Sequence, residues 1–232
     1  MIIGTRILYP EEVGIWDADI YQISVYRGMK DHTKIMRDTV RACIDAAVPY
    51  VIHPVGYSIL NEDMFLEITD MSKLADRALI LHDETTPDGS RLNGRDEEDF
   101  QKCLQALSSH APVSIENATN TSDVQWFWDR YADSITLDIG HVEVSGIDSV
   151  DFIESFSEQT IEKIQYVHIH RNNGLHGGIT DHWPLKRDCR EVRALTRLIS
   201  LKPEVNVILE INEVDEIDVS LDILRELKDK SD

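Results

Sequence analysis

Carboxylates and imidazoles recur in this chain at the ends of short apolar runs. YVIHP carries His53, ALILHD carries His82 and Asp83, and PVSIEN carries Glu116. SITLDIGH places Asp138 and, three residues on, His141. IQYVHIH holds His168 and His170, two apart and therefore on one face of an extended segment. VNVILEIN holds Glu210, and the pair Asp181 and His182 follows the seventh run. Of nine histidines, only His32 and His110 lie clearly away from these run ends or the loop after the seventh. Oxygen and nitrogen donors converging without cysteine suit Mn2+, Zn2+, Fe2+ or Co2+. Taken singly, each residue has a plainer reading. A histidine after a strand is more often structural, Glu116 could bond a neighbouring backbone N–H, and Asp138 could cap the next element. Buried carboxylates are costly without partners, however. Three of them at strand ends, with four or more histidines, exceed what capping satisfies, so the residues point to a divalent-metal site.

The elements that must position them are eight apolar runs at 2–8, 20–26, 50–54, 78–83, 112–117, 134–140, 164–170 and 205–212. Several are continuous rather than alternating, as expected for strands buried on both faces. Helical spacing joins Ile35, Met36, Val40, Ile44 and Ala47, then Phe100, Cys103, Leu104 and Leu107. It recurs in Val192, Leu195 and Ile199, and in Leu221, Leu224 and Leu227. Thr121 or Ser122 is the expected N-cap of the helix in DVQWFWDRY, whose Trp126, Phe127, Trp128 and Tyr131 read as packing. Alternating strands and helices predict an α/β chain with a parallel sheet, and eight strands fit a single (β/α)8 TIM barrel over residues 1–232. The segment 9–19 is too short for a full helix between the first two strands. An open doubly wound sheet is the alternative, but no GxGxxG follows the first strand. In a parallel barrel the active site lies at the C-terminal ends of the strands, where these ionisable residues fall.

Composition narrows the partners. The 232 residues are 42% hydrophobic and carry a formal net charge of −20. That charge repels nucleic acid and anionic membranes at long range. Cys43, Cys103 and Cys189 are odd in number and far apart, as for reduced thiols on helices in a cytoplasmic protein. No apolar run of about 18 residues is present to span a membrane, and MIIGTRILYP does not read as a signal peptide.

From VIHPVGYSILN to VILEIN the chain resembles the xylose-isomerase-like TIM barrels, which include sugar isomerases, epimerases and the endonuclease-IV-type apurinic-site endonucleases of AP endonuclease family 2. The resemblance rests on SIENA, LDIGH, VHIHRNNG, DHWPL and ILEIN. It implies that Glu116, Asp138, His170 and Glu210 form the shared metal quartet. His141 matches the histidine that contacts a second metal or the substrate. His53 and His82 fall where the endonuclease branch keeps further metal histidines, and His182 matches a loop histidine. His168 would orient a ligand. The sequence departs from the pattern in three places. Thr180 stands where an aspartate is usual, with Asp181 shifted by one. Lys186, Arg187 and Asp188 replace glycines, and Arg171 replaces an acidic residue. Barrels of this kind often pair as homodimers, and no residue here fixes that.

Two chemistries follow. The first is isomerisation or epimerisation of a small sugar, sugar acid or sugar phosphate through an enediolate, with one divalent ion. Glu116 or Glu210 would move the proton, His141 would hold a substrate oxygen, and Arg171, Lys186 and Trp183 would contact the substrate. Arg187 completes a basic island with Arg171 and Lys186 that could hold a phosphate or carboxylate of the substrate, or be a solvated loop. The second is hydrolysis of a phosphodiester at a site of two or three ions, which His53, His82 and His182 favour. The acidic segment 82–100 and the net charge count against a duplex substrate. A barrel that binds a ligand without turnover is the third reading.

Overall fold

The computed structural model describes residues 1–173 and 181–230. Its eight strands are β1 (Ile2–Ile7), β2 (Ile20–Tyr26), β3 (Tyr50–Val55), β4 (Leu79–His82), β5 (Val113–Glu116), β6 (Ile135–Asp138), β7 (Ile164–Ile169) and β8 (Asn206–Leu209). All pair in parallel with their sequence neighbours, and β1 pairs with β8, so the sheet closes into a (β/α)8 barrel rather than an open sheet. Every apolar run read from the sequence matches one strand, with β3 reaching one residue past its run.

The outer layer holds α1 (His32–Asp45), α2 (Glu62–Ser72), α3 (Gly94–Ser108), α4 (Val124–Tyr131), α5 (Ile139–Val144), α6 (Ser149–Glu154), α7 (Glu158–Lys163), α8 (Arg190–Leu201) and α9 (Ile217–Asp229). Their apolar stripes bury against the outward face of the strands. In α8, Val192, Leu195, Leu198 and Ile199 are all buried, each such side chain contributing about 1.5–3 kcal/mol. Between β1 and β2 only a 3-10 turn, Pro10–Glu12, forms, as the short segment requires. Between β6 and β7 three short helices replace one long one. Gly146 turns the chain at a φ of 77° after α5, and Asp148 and Ser157 cap the helices that follow.

Three details differ from the sequence reading. Thr121–Asp123 is a 3-10 turn, and the N-cap of α4 is Asp123 rather than Thr121 or Ser122. The sixth run stops being a strand at Asp138, whose carboxylate caps α5. Ile44 shares the spacing of α1 but is exposed, and Cys43 takes the buried place. All three cysteines are free. Cys43 and Cys103 lie in α1 and α3, and Cys189 occupies the N-cap position of α8. Among the described residues no helix is long and apolar enough to cross a membrane.

Candidate metal centre

The barrel interior is layered by side chain, because register partners on parallel strands share a face. Its floor is an apolar cluster of Ile20, Val51, Ala78, Ile80, Tyr166 and Ile208. The layers above are polar. Arg6 is in register with Gln22, Ser24 with His53, His82 with Glu116, and Asp138 with His168. Strand alternation thus delivers the ionisable residues to the C-terminal mouth over a dry floor.

Glu116 and Asp138 are the pivots. Glu116 Oε2 lies 3.3 Å from His53 Nε2 and 3.6 Å from His82 Nε2, while its Oε1 lies 3.0 Å from His168 Nδ1. Asp138 Oδ1 accepts the backbone N–H of His141 at 2.7 Å and lies 3.3 Å from His170 Nε2. Its Oδ2 faces His141 and His168 at 3.5 and 4.0 Å. Asp138 therefore does both things that the sequence allows: one oxygen caps α5 and the other faces the cluster. Glu210 completes the ring, with Oε1 3.9 Å from His168 Nδ1 and Oε2 3.8 Å from His182 Nδ1.

Donor atoms from these residues fall into groups within 4.8 Å of one another: His53, His82 and Glu116; His53, His168 and Glu210; Glu116, Asp138 and His168; and His141, His170 and His182. Both oxygens of Glu116, Asp138 Oδ2, both nitrogens of His168 and His170 Nε2 are buried without a hydrogen-bond partner among the described residues. Orphaned polar atoms at such density are costly unless something else satisfies them. A divalent cation fits that demand, since oxygen and nitrogen donors without thiolate are its ordinary ligands.

Backbone contacts sort the histidines. His53 Nδ1 meets the carbonyl of Ile80 at 3.1 Å, His141 Nδ1 that of Asn117 at 3.1 Å, and His182 Nδ1 that of Glu210 at 2.8 Å. A carbonyl requires an N–H on that nitrogen, which leaves Nε2 with the lone pair that a metal needs. His170 is arranged the other way. Its Nδ1 accepts the N–H of His182 at 2.9 Å, so the neutral ring carries its proton on Nε2, toward Asp138. His168 instead reaches all three carboxylates within 4.0 Å. The resemblance gives His170 the ligand role and His168 the orienting one; here His168 faces the three carboxylates, and His170 stands between the His182 backbone and Asp138.

Residues with no assigned role in the sequence reading brace this arrangement. Gln22, fully buried, donates from Nε2 to Glu210 Oε1. Asn117 clamps the backbone of Asp138, accepting its N–H at 2.8 Å and donating to its carbonyl at 2.9 Å. Asp83, adjacent to His82, is spent on structure: its oxygens accept the N–H groups of Ala118, Thr119 and Asn120. Gly140 lies against His170, where a β-carbon would come closer than 3.0 Å to three ring atoms.

Arg171 and Trp183 hold each other in an antiparallel bridge, with Arg171 Nε donating to the Pro184 carbonyl. That bridge returns the chain so that the His170 and His182 rings sit 4.2 Å apart. His182 itself adopts a φ of 55°, uncommon for a residue with a side chain. Lys186 is exposed, and Arg187 pairs with Glu226 on α9 rather than with the cluster. Asp181 is half-buried and joins no ion pair among the described residues. Thr180 lies outside the described residues. Phe127, Trp128 and Tyr131 are buried in packing, and Arg91 stacks over the half-buried Trp126 at 4.5 Å. A cleft of about 420 Å3 beside α3 and α4 is lined by Gln101, Leu104, Arg130, Tyr131 and Asp133, and holds none of the residues of this cluster.

The electrostatics match the crowding. Burial disfavours a charged His168, but Glu116 and Glu210 outweigh it and push its pKa up to about 9. Burial likewise opposes protonated His141, and Asp138, Glu116 and Glu210 prevail, again to about 9. Burial dominates at His53 and lowers it to about 4. A histidine with a raised folded pKa adds stability that is complete below its unfolded value and lost as pH climbs through the folded one. The metal-free chain should therefore lose stability to denaturant between about pH 6.5 and 9, from His141 and His168. Loading with Zn2+ should flatten that slope, because the ion replaces the protons. Urea titrations at several pH values, with chelator and with metal, measure both; equal slopes would contradict it.

No family model matches the chain, and no curated protein matches it by sequence. Solved structures match its fold along all or most of its length. A D-tagatose 3-epimerase-like protein is 17% identical with a TM-score of 0.69, covering 100% of this chain and 98% of that one. An IolI protein with a bound zinc atom is 12% identical with a TM-score of 0.59, covering 100% and 96%. A xylose isomerase-like TIM barrel protein from Mycobacterium smegmatis, in complex with magnesium, is 11% identical with a TM-score of 0.54, covering 91% and 85%. At these identities the likeness is one of fold.

Proposed function

We propose that this chain is a divalent-metal-dependent isomerase or epimerase that moves a proton beside the carbonyl of a small sugar, sugar acid or sugar phosphate. The observation that carries the reading is the set of buried atoms on Glu116, Asp138, His168 and His170 at the barrel mouth that have no hydrogen-bond partner among the described residues. Asp138, Glu116, Glu210 and the facing histidines would hold the ion. When bound, it polarises a carbonyl and an adjacent hydroxyl. The rest is work for the chain. Glu116 and Glu210 approach the same His168 nitrogen from β5 and β8. One glutamate takes the proton from carbon to give an enediolate, and the same or the opposite one returns it. His141, partly open at the mouth, holds a substrate oxygen. Epimerase-like proteins among the fold neighbours support this choice of chemistry.

One observation favours a second reading. His53, His82 and Glu116 gather beside the central group and share Glu116 with it. Adjoining sites with a common carboxylate suit a multinuclear phosphodiesterase. The net charge of −20 weighs against a nucleic-acid duplex as its substrate.

The two readings separate in one experiment. Metal-loaded protein is incubated in D2O with ketoses, ketose phosphates and keto sugar acids, and NMR follows deuterium at the carbon beside the carbonyl. In parallel it is offered bis(p-nitrophenyl) phosphate and abasic-site DNA. Deuterium uptake that falls at least about 100-fold in Glu210→Gln is the expected outcome. Hydrolysis without exchange would establish the second reading in its place.

A further inference from the structure

Arg6 stands on β1 facing the barrel interior, in register with Gln22, the residue that holds Glu210. Its guanidinium donates to Tyr26 Oη at 3.1 Å, to the Ile211 carbonyl at 2.8 Å and to Asn212 Oδ1 at 2.7 Å. All three acceptors are neutral. None of the ion pairs among the described residues includes Arg6, although the chain carries 43 acidic side chains. Exposed Arg91, Arg130 and Arg187 all find carboxylates. Arg6, half-buried at the mouth, does not.

The donor count matters. Both Nη2 hydrogens and one on Nη1 are engaged, which leaves the Nε–H and the second Nη1–H without partners among the described residues. Tyr26 receives from Arg6, so its own O–H remains to donate. A cation and a phenol therefore offer three donors beside Glu210, and the fold holds both rigidly. Arg6 is half-buried and its charge is felt by Glu210, yet no carboxylate pairs with it among the described residues, so its free N–H groups suit an arriving anion.

We propose that Arg6 and Tyr26 form a subsite for an anionic group of the substrate, a carboxylate or a phosphate, held beside the proton-moving glutamates. The proposal deepens the isomerase–epimerase reading and rests on it for the chemistry served: the substrate is an acidic hydroxy-carbonyl compound rather than a neutral sugar. It also moves the anion contact away from Lys186 and Arg187, which face solvent or Glu226.

Calorimetric titration of the metal-loaded full chain with glycolate, inorganic phosphate and glycerol tests it. Glycolate or phosphate should bind the wild type, and whichever binds more tightly identifies the anion. Arg6→Gln should weaken that binding about tenfold or more. Tyr26→Phe, which keeps the bonds of Arg6 to Ile211 and Asn212, should weaken it about threefold to tenfold. Arg187→Gln should leave it unchanged, and glycerol should not distinguish the variants. Melting temperatures accompany each variant, and Tyr26→Phe decides the matter if Arg6→Gln does not fold. Equal anion affinity in wild type and variants, or anion binding by none, would overturn the subsite. Anion binding through Arg6 without deuterium exchange would instead remove the isomerase reading and leave the subsite standing.

Discussion

Asp138→Asn should strip the protein of metal while leaving the barrel folded. The two oxygens of this carboxylate do different jobs. Oδ1 caps α5 by accepting the His141 N–H at 2.7 Å, and asparagine caps a helix about as well as aspartate. Oδ2 is buried, has no hydrogen-bond partner among the described residues, and faces His141 and His168. The substitution puts an amide N–H2 or a neutral oxygen there and removes the charge. It also leaves the Asn117 clamp intact, because that clamp grips only the Asp138 backbone. Even residues that merely orient ligands cost about 10–100-fold in metal affinity when lost. A carboxylate at the centre of the cluster should cost at least about 100-fold. Elemental mass spectrometry after dialysis against a graded chelator, with a thermal melt on the same sample, provides the comparison. Asp138→Ala is the companion, since it should lose the metal and also about 1 kcal/mol of cap. Wild-type metal content in Asp138→Asn would reduce Asp138 to a cap and take the central group with it.

The barrel and the rim were legible for a common physical reason. Strands buried on both faces must be apolar throughout, so an ionisable residue within or just after such a run stands out. His53, His82, Glu116, Asp138, His168, His170 and Glu210 all carry that contrast, and the fold delivers every one of them to the mouth. Arg6 and Gln22 carry none of it. They sit in β1 and β2, where one polar residue among apolar ones reads as ordinary alternation, and their importance depends on which strand closes beside which. Only the β1–β8 pairing brings Arg6 beside Glu210. His168 in β7 and His170 just after it were inseparable by spacing alone, since a spacing of two puts both on one face. What separates them is the N–H of His182, and this reaches His170 only because Arg171 and Trp183 bridge. Asn117 follows Glu116 in SIENA with no mark of its own, and its value as a clamp on Asp138 exists only across two strands. The misplaced cap of α4 has a local cause: a 3-10 turn uses Thr121 and Ser122 before the α-helix begins.

Gly140→Ala should weaken metal binding although it improves a helix. Gly140 is the second residue of α5, where alanine is ordinarily favoured over glycine by about 1 kcal/mol. Its backbone is not in the left-handed region, so conformational freedom does not explain the glycine. Close approach does. A β-carbon there would fall within 3.0 Å of His170 Cε1, Nδ1 and Nε2, and the ring has little room to yield. It is fully buried, accepts the His182 N–H on one side and faces Asp138 on the other. Displacing it would release both contacts, so metal affinity should fall about 10–100-fold, the range for loss of an orienting partner. A double-mutant cycle with His170→Ala tests the cause. With the imidazole gone, the added methyl has space, and Gly140→Ala should become neutral or stabilising with no further loss of metal. Equal losses from Gly140→Ala with and without the His170 ring would mean that the glycine serves α5 itself, and that the packing of the ring does not depend on it.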